Sequence, residues 1–323
     1  MSTHIVAGLD VHKDNTYATL MSSDGSIVAR RRIPNKELLI FLDEYADKIE
    51  RVAMEASTSI VPIYRKLKHK GCDVLVSHPK ETKMISKNMI KTDKVDSTIL
   101  AELTRLNALP LSYMPDETVA ELREKVRRRA FLVRTRTKFK AKIKACLLYN
   151  GVEEPAYGLF TAEGIKWLHS VRMDAVESYL PVIAALDKQI AKISLELTRM
   201  APEDDDSKLL MTIPGIGYYT ALLIKSEIGE IKRFFDGEHL CSYAGLVPSV
   251  NSSGTRKRYG NITKEGSRWL KWITVECVTT HLKYDTSITR AYHRIAQSKG
   301  KKIAKVAAAR RLWMCCYSVL KNR

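Results

Sequence analysis

The sequence lacks the patterns by which disulfide-rich, zinc-binding and membrane proteins are usually identified. Its six cysteines form no CxxC pair, and its eight histidines form no HExxH motif. No apolar run approaches the ~20 residues that a membrane span needs, and the first residues show no signal-peptide pattern. We therefore expect reduced thiols in a cytoplasmic protein that has no membrane partner, no disulfide framework and no structural zinc site.

Acidic residues are also scarce relative to basic ones. The 323 residues include 54 Lys and Arg against 36 Asp and Glu, which gives a formal net charge of +18. A charge of this size favours a polyanionic partner, most often nucleic acid. The alternative is a highly soluble enzyme with a basic surface. The length of 323 residues is enough for two or three domains, and the 45% hydrophobic content supports folded cores and argues against general disorder.

The first third of the chain shows the pattern of an α/β domain. Three apolar, β-branched strands come first, and helices and strands then alternate, which predicts a mixed sheet over residues 1–114. The predicted strands are 4–10, 17–22, 26–33, 51–56 and 72–78, and the predicted helices are 36–48, 60–70 and 93–106.

Beyond residue 114 the pattern becomes helical. From Pro115 to about Leu148 the helical run that follows the proline contains no further proline and no glycine, and residues 173–200 repeat apolar side chains at three- and four-residue steps. With a turn near 151–157, these helices predict a helical hairpin or coiled-coil arm over 115–200. A polar linker, 201–208, opens a third, mainly helical domain, 201–323.

Four acidic residues occupy positions where the predicted elements would converge. Asp10 and Glu55 end the first and fourth strands, whereas Asp93 and Asp96 share one face of the 93–106 helix. If the two strands are neighbours, the carboxylates meet at one sheet edge and form a hard-cation site for Mg²⁺ or Mn²⁺. Such a site suits phosphodiester cleavage. The alternative is that these acids occupy solvated turns and a helix N-terminus, where the helix dipole favours them.

A run of positive charge marks the first long helix. Eleven Lys and Arg lie between residues 123 and 144, against the single acid Glu124. Solvated helices usually mix charges of both signs, so we predict phosphate contacts that provide affinity rather than sequence reading. A merely solvated helix is the alternative. The predicted contacts are Arg123, Arg127, Arg128, Arg129, Arg134, Arg136, Lys138 and Lys140.

Two later segments carry further candidate contacts with DNA. The Pro-Gly-x-Gly turn at 214–217 lies between apolar helices and resembles a helix-hairpin-helix, in which backbone N–H groups approach a phosphate; a purely structural turn is the alternative. The segment 244–270 is predicted to be a basic loop rich in Ser, Asn and Gly. Its Ser253 is a candidate nucleophile if a base or metal activates it, although loop serines are usually turn formers. The predicted nucleic-acid contacts here are Gly215, Gly217, Arg256, Lys257 and Arg258.

Taken in this order, the segments resemble the DEDD-type transposases of insertion-sequence family one hundred and ten, which are bridge-RNA-guided serine recombinases. The resemblance covers nearly the whole chain. The matches to the family's RuvC-like, ribonuclease-H-like domain are G-L-D at 8–10, M-E-A at 54–56 and K-T-D-x-V-D at 91–96. The matches to its C-terminal transposase domain are I-P-G-I-G at 213–217, A-G-L-x-P at 244–248 and S-G at 253–254.

The resemblance implies specific roles for five residues. The family's metal-binding acids fall on Asp10, Glu55, Asp93 and Asp96, and its nucleophile falls on Ser253, which would form a phosphoserine link to DNA. Ala-Ser-Thr-Ser after Glu55 departs from the Thr-Gly turn of many relatives, and Ser249 and Ser252 are the nearest alternative nucleophiles.

The resemblance also implies partners. They are donor and target DNA, a structured noncoding bridge RNA that pairs with both, and further copies of the chain in a dimer or a dimer of dimers. A composite site would join the acids of one subunit to the serine of another. Two rival interpretations remain: a nuclease related to Holliday-junction resolvases that activates water with the same acids, and a non-catalytic nucleic-acid-binding protein.

Overall fold

A computed structural model describes residues 4–86, 92–253, 256–263 and 265–322, with side chains described outside 250–259 and 261. The chain forms two compact units, Met1–Met114 and Pro115–Arg323. The division into three domains at residues 114 and 200 stays a prediction. Within the described residues, none of the helices is both long and apolar enough to cross a membrane.

The first unit is built on a five-stranded mixed sheet with the strand order β3-β2-β1-β4-β5. Strands β1 to β3 form an antiparallel meander, and β4 and β5 run parallel to β1. This confirms the predicted α/β class with a mixed sheet. The elements are β1 (Ile5–Val11), β2 (Asn15–Ser22), β3 (Ile27–Pro34), α1 (Leu38–Asp43), β4 (Ile49–Glu55), α2 (Val61–His69), β5 (Val74–Ser77), α3 (Pro79–Ser86) and α4 (Asp93–Arg105).

Helix α1 is shorter than the predicted 36–48. Its buried residues are Leu38, Phe41 and Leu42, and Leu39 and Tyr45 pack against the same core while partly exposed. After Asp43 the backbone tightens into successive turns in which Tyr45 N donates to Leu42 O and Lys48 N donates to Tyr45 O. Such i→i+3 hydrogen bonds close a tighter turn than an α-helix. The α-helix therefore ends at Asp43, five residues before the predicted Lys48.

Helix α4 packs directly on one face of the sheet, over β1, β2 and β4. The approach is closest at Gly8, where an added Cβ would overlap the carbonyl oxygen of Ser97 and the amide nitrogen of Ala101. The hydroxyls of Ser97 and Thr19 share a buried hydrogen bond of 2.8 Å. The helix backbone thus rests on the strand itself, because position 8 carries no side chain.

The second unit is mainly helical and contains one two-stranded antiparallel sheet, β6-β7. The segment predicted as a basic loop therefore forms a hairpin. The elements are α5 (Glu117–Tyr149), α6 (Ala162–Ser170), α7 (Asp174–Met200), α8 (Asp205–Met211), α9 (Tyr218–Ile228), α10 (Gly237–Tyr243), β6 (Pro248–Ser253), β7 (Arg256–Ile262), α11 (Arg268–His281), α12 (Ser287–Lys299) and α13 (Lys301–Lys321).

The two long helices, α5 and α7, pack against each other along their lengths. Ile143 of α5 clusters with Leu180 near the start of α7, whereas Val126 clusters with Ile193 near its end. The pair is therefore antiparallel. The connection is more than the single predicted turn, because it includes α6, which begins where the Thr161 hydroxyl accepts from the amide of Gly164. Coiled-coil geometry stays a prediction.

The close approach at Gly8 predicts a large effect from a single methyl group. In Gly8→Ala, the new Cβ cannot fit against the α4 backbone, so the helix must move or the unit must open. We expect a loss of about 1–3 kcal/mol in the free energy of unfolding, measured by urea denaturation. Gly217→Ala is the control, because open space surrounds that position. Equal stability of Gly8→Ala and the unmodified chain would contradict this packing.

Candidate functional site

Two of the predicted acids lie at the same sheet edge. Strands β1 and β4 are parallel neighbours, and Leu9 pairs with Met54. Asp10 and Glu55 each follow one position further along their strands, so they are adjacent at the carboxyl ends of the two strands. Both belong to the sheet face on which α4 packs, because the side-chain direction alternates along a strand and Gly8 lies under α4. The condition that the sequence sets for convergence, neighbouring strands, is therefore met, and the role of these two acids stays a prediction.

Helix α4 brings the other two acids to this edge. Asp93 and Asp96 lie in its first turn, and the Thr92 hydroxyl caps the helix by accepting from the amide of Val95 at 3.3 Å. Acids in a first turn are favoured by the helix dipole. The sequence allowed two interpretations of these acids, a cation site or a helix N-terminus. The two are compatible, because the turn that the helix dipole stabilises also faces the end of β1.

A histidine joins the acids. The Nε2 atom of His12 lies 3.3 Å from a carboxylate oxygen of Asp10 and 3.3 Å from one of Asp93. Single donor atoms of these three residues all lie within 4.8 Å of one another. The side chain of Asp10 is 19% exposed and that of His12 is 50% exposed, so the cluster opens to solvent on one side.

The pKa of Asp10 reflects its burial and the charged groups around it. Burial raises the pKa of Asp10 above its usual value. His12 opposes the increase, whereas Asp96 and Asp93 add to it because their negative charges disfavour another nearby. The raised pKa means that the ionised carboxylate is disfavoured in the folded chain. A bound cation would offset this cost.

Sequence reasoning did not identify His12. The available signal was the Asp-Val-His alternation at 10–12, which continues the two-residue period of β1 beyond Asp10. The sequence does not show that the chain turns after Val11 so that His12 lies between a strand and a helix more than eighty residues away.

The cluster fits a divalent cation by the chemistry of its donors. Carboxylate oxygens are the ligands preferred by Mg²⁺ and Mn²⁺, and imidazole nitrogen is a ligand for transition metals. Asp10 and Asp93 contribute oxygens and His12 a nitrogen within one small volume. Asp96 is near enough to raise the pKa of Asp10, and Glu55 is adjacent to Asp10 in the sheet.

The basic helix α5 is less uniformly positive than its sequence indicates. Arg127 donates from Nε and Nη2 to both carboxylate oxygens of Glu227, at 2.7 and 2.9 Å, and the Glu227 side chain is 3% exposed. The Ser267 hydroxyl donates to the same carboxylate at 3.2 Å. Three further pairs join α5 to other elements: Lys125 with Glu196, Arg136 with Asp187, and Lys144 with Glu154.

Other basic side chains of α5 contact neutral groups. Arg129 donates to the Ser194 hydroxyl at 2.7 Å and lies 4.2 Å from the ring centre of Tyr219. Arg134 lies over the rings of Trp269 and Trp272. Arg123 donates to the Ser226 carbonyl and Lys140 lies over Phe160. Much of the charge therefore fastens α5 to its own unit. Nucleic-acid contact through these residues, and through Arg128, stays a prediction.

Lys138 and Lys142 differ from these neighbours. Both are exposed, and neither forms an ion pair within the described ranges. They lie one helical turn apart on α5, so they share a face. Within the described residues these two lysines are thus both exposed and without an ion pair, which favours them as candidates for phosphate contact.

The Pro-Gly-x-Gly turn connects α8 to α9, as the sequence indicates. Gly215 has φ +91°, and a Cβ there would lie 2.9 Å from Cys277 O and from His281 N. The ring nitrogen Nδ1 of His281 bonds to Pro214 O at 2.6 Å. The Gly215 position thus serves packing against α11, whereas open space surrounds Gly217 at the start of α9. A helix-hairpin-helix function stays a prediction.

Ser253 is the last residue of β6 and pairs with Arg256 of β7. The base of the hairpin is fixed by backbone hydrogen bonds from Thr263 N to Val247 O and from Ser267 N to Tyr243 O. The side chains of Ser253, Arg256, Lys257 and Arg258 lie outside the described residues. Their predicted roles stay predictions.

Comparison with known proteins finds the same family at both ends of the chain. A DEDD transposase model of IS110 elements, described as "Transposase", matches residues 7–149, which include the four acids. A second model, described as "Transposase IS116/IS110/IS902 family", matches residues 207–294, which include the Pro-Gly-x-Gly turn and the β6–β7 hairpin.

Curated relatives give the same result. The protein of Sinorhizobium fredii named as transposase y4qE is 28% identical over 70% of this chain, which spans 57% of that relative. The transposase for insertion sequence element IS1328 of Yersinia enterocolitica is 25% identical, with 85% of this chain and 83% of the relative covered. The transposase for IS1111A of Coxiella burnetii is 24% identical, with 94% and 86% covered. With its acids and its hairpin each inside a matched segment, the chain belongs to the IS110 family of insertion-sequence transposases.

Proposed function

We propose that this protein moves an insertion sequence by metal-dependent DNA strand cleavage and exchange through a serine–DNA link. The observation that carries the proposal is the cluster at the carboxyl end of β1, where Asp10, Asp93 and His12 converge within a DEDD transposase segment. Family membership supports an enzyme, and the cluster supports a site for its chemistry. The serine, the guide RNA and the metal are our proposals.

The acids hold the cation in this proposal. Asp10 and Asp93 supply oxygens from the strand and the helix, and Asp96 and Glu55 flank them. A bound Mg²⁺ or Mn²⁺ would lower the pKa of a nucleophile and neutralise charge on the phosphate. The role of the protein is to hold several carboxylates close together. The α4 packing places Asp93 and Asp96 beside Asp10, and the helix dipole favours the two acids of the first turn.

The covalent step belongs to Ser253. Its hydroxyl oxygen loses a proton and bonds to the phosphorus of a DNA phosphodiester, while the bond from phosphorus to one deoxyribose oxygen breaks and that oxygen gains a proton. The phosphoserine keeps the energy of a phosphodiester bond. A free hydroxyl of another strand can then attack it and release the serine, so strands rejoin without ATP.

Nucleic-acid partners follow from the charge and from the family resemblance. We propose donor and target DNA and a structured bridge RNA that pairs with both. Arg256, Lys257 and Arg258 next to the serine and the exposed lysines of α5 would contact phosphates. We also propose a homo-oligomer in which the acids of one subunit act with the serine of another.

Metal dependence gives the first test of this function. In Asp93→Ala the cluster loses one oxygen donor, so DNA cleavage should fall at least about a hundredfold while nucleic-acid binding persists. The measurement is cleavage of the DNA junction of the encoding element with Mg²⁺ or Mn²⁺ supplied. Asp174→Ala, an exposed first-turn acid of α7, is the control. Full cleavage in EDTA would refute the metal site.

The exposed lysines of α5 give a second test. Lys138→Glu with Lys142→Glu should weaken binding of duplex DNA and structured RNA regardless of sequence, because two phosphate contacts are lost. The slope of log affinity against log salt should fall by about two. Arg127 is unsuitable for this test, because reversing its charge would place a second carboxylate against buried Glu227.

The control for this pair is Lys301→Glu with Lys302→Glu, which changes the net charge equally at the start of α13. Both of these lysines are exposed. An equal loss of affinity in both double variants would mean that net charge alone acts. Unchanged binding in the α5 variant would show that this face is merely solvated.

The serine gives the third test. Ser253→Ala should lose cleavage and strand exchange but keep its fold and nucleic-acid binding. On a DNA substrate interrupted so that religation fails, the unmodified protein should accumulate an adduct that survives denaturant, and mass spectrometry should place it on Ser253. Ser249→Ala and Ser252→Ala, which should still form the adduct, are the controls.

Two outcomes separate the alternatives. Robust cleavage by Ser253→Ala, with no covalent species on any substrate, would favour a nuclease that activates water. If the site is composite, a mixture of Asp93→Ala and Ser253→Ala proteins should recover part of the activity that each lacks alone. Each mixed dimer then has one site in which the intact acids of the Ser253→Ala subunit act with the intact serine of the Asp93→Ala subunit. No recovery from a confirmed mixed dimer would place acids and serine in one subunit.

A further inference from the structure

The side chain of His12 occupies a position that the acids alone do not explain. Its Nε2 atom is equally distant, at 3.3 Å, from a carboxylate oxygen of Asp10 on β1 and from one of Asp93 on α4. The three residues thus come from a strand, a turn and a helix. The fold therefore brings the half-exposed His12 side chain to equal distances from these two carboxylates.

The turn that carries His12 is fixed by its backbone. His12 N donates to Asn15 O at 2.9 Å, and the Asn35 side-chain amide donates to the carbonyls of His12 and Lys13, each at 3.0 Å. The Asn35 carbonyl oxygen accepts in turn from the hydroxyl of buried Thr16 at 2.7 Å. One asparagine therefore clamps both ends of the turn between β1 and β2. The backbone that carries the ring is therefore fixed before any ligand binds.

The spacing matches that of neighbouring ligands around one ion. Two ligand atoms, each about 2.1 Å from a cation and at right angles, lie about 3.0 Å apart. The two separations from Nε2 are close to this value. An Nε2–H group, in contrast, directs its single hydrogen best towards one acceptor. Equal separations from two oxygens fit a shared cation, whereas a hydrogen bond to one of them does not require the second to be equally near.

We propose that Nε2 of His12 is a ligand of the same cation as Asp10 and Asp93, and that this nitrogen gives the site a preference for Mn²⁺ over Mg²⁺. The proposal rests on the metal site of the proposed function and names its third ligand. Mg²⁺ is a hard ion that takes oxygen ligands and dehydrates reluctantly. Transition-metal ions accept imidazole nitrogen more readily. Replacing one oxygen ligand by nitrogen should therefore shift selectivity towards manganese.

The test is a Mn²⁺ titration of the intact protein, followed by pulsed electron paramagnetic resonance of the Mn²⁺-loaded form. We expect a nitrogen hyperfine modulation from a coordinated imidazole. Histidine labelled with ¹⁵N should change this modulation in the unmodified chain, which identifies the residue type without any substitution. Competition with Mg²⁺ measures the selectivity.

Substitution then identifies the residue. His12→Gln replaces the nitrogen by an oxygen donor of similar reach, so the modulation should vanish and Mn²⁺ affinity should fall at least about tenfold. The affinity for Mg²⁺ should change less. His78→Gln is the matched control, since His78 is also partly exposed in the first unit and lies near an acid, Glu81. It should keep the modulation and the affinity.

The outcomes distinguish the role of His12 as a ligand from the carboxylate metal site on which that role rests. Modulation that persists in His12→Gln, or Mn²⁺ affinity equal to that of the unmodified chain, would overturn the role of His12 while leaving the carboxylate site intact. In that case the histidine is a counter-charge for the acids. Asp10→Asn tests the site itself: if it binds Mn²⁺ as the unmodified chain does, the proposed metal centre fails as well.

Discussion

The candidate site depends on the direct contact between a helix backbone and a strand. Because position 8 has no side chain, α4 lies against β1 at Ser97 and Ala101. The first turn of α4 therefore reaches the end of β1, and residues more than eighty positions apart in sequence become neighbours. A larger residue at this point would separate the helix from the sheet, and Asp93 from Asp10 and His12 with it.

The second unit uses charge to solve a different packing problem. Helix α5 carries many positive side chains, and burying any of them against a core costs free energy unless a partner is present. Glu227 supplies that partner to Arg127 from inside α9 and also accepts from Ser267, which caps α11. One buried carboxylate thus links three helices. The same helix keeps Lys138 and Lys142 exposed, so the side chains that fasten α5 and those that face solvent are separable along its length.

Much of the fold could be predicted from local sequence patterns. The apolar runs located all five strands of the sheet, and Asp10 and Glu55 were placed correctly at the ends of adjacent strands. Helical periodicity located α4, α5 and α7, since each depends on its own spacing of apolar residues. The shortened α1 and the inserted α6 were missed because tertiary packing, rather than propensity, decides where such short helices begin and end.

Features that depend on tertiary contact could not be predicted. The pairing of α5 with Glu227, Glu196 and Asp187 joins residues far apart in sequence, so a run of positive charge looked unopposed. The β6–β7 hairpin was predicted as a loop because its Ser, Asn and Gly content is typical of turns, whereas cross-strand pairing overrides that preference. His12 was not predicted, because what distinguishes it is its short distance from Asp93 on α4 and not a sequence motif.

The two units also differ in how their charged side chains are arranged. In the second unit the buried carboxylate of Glu227 meets the opposite charge of Arg127, and this pairing joins α5 to α9. At the end of β1 the fold instead brings carboxylates together, and burial together with Asp96 and Asp93 makes ionised Asp10 less favourable. Such an arrangement costs free energy in the absence of a cation and gains it back when one binds. The rigid supports around it, the α4 contact at Gly8 and the Asn35 clamp on the turn, are what allow the chain to hold an unfavourable cluster in place. Rigid support of this kind is what lets like charges stay close together, and it is the physical basis of our proposal that a cation binds there.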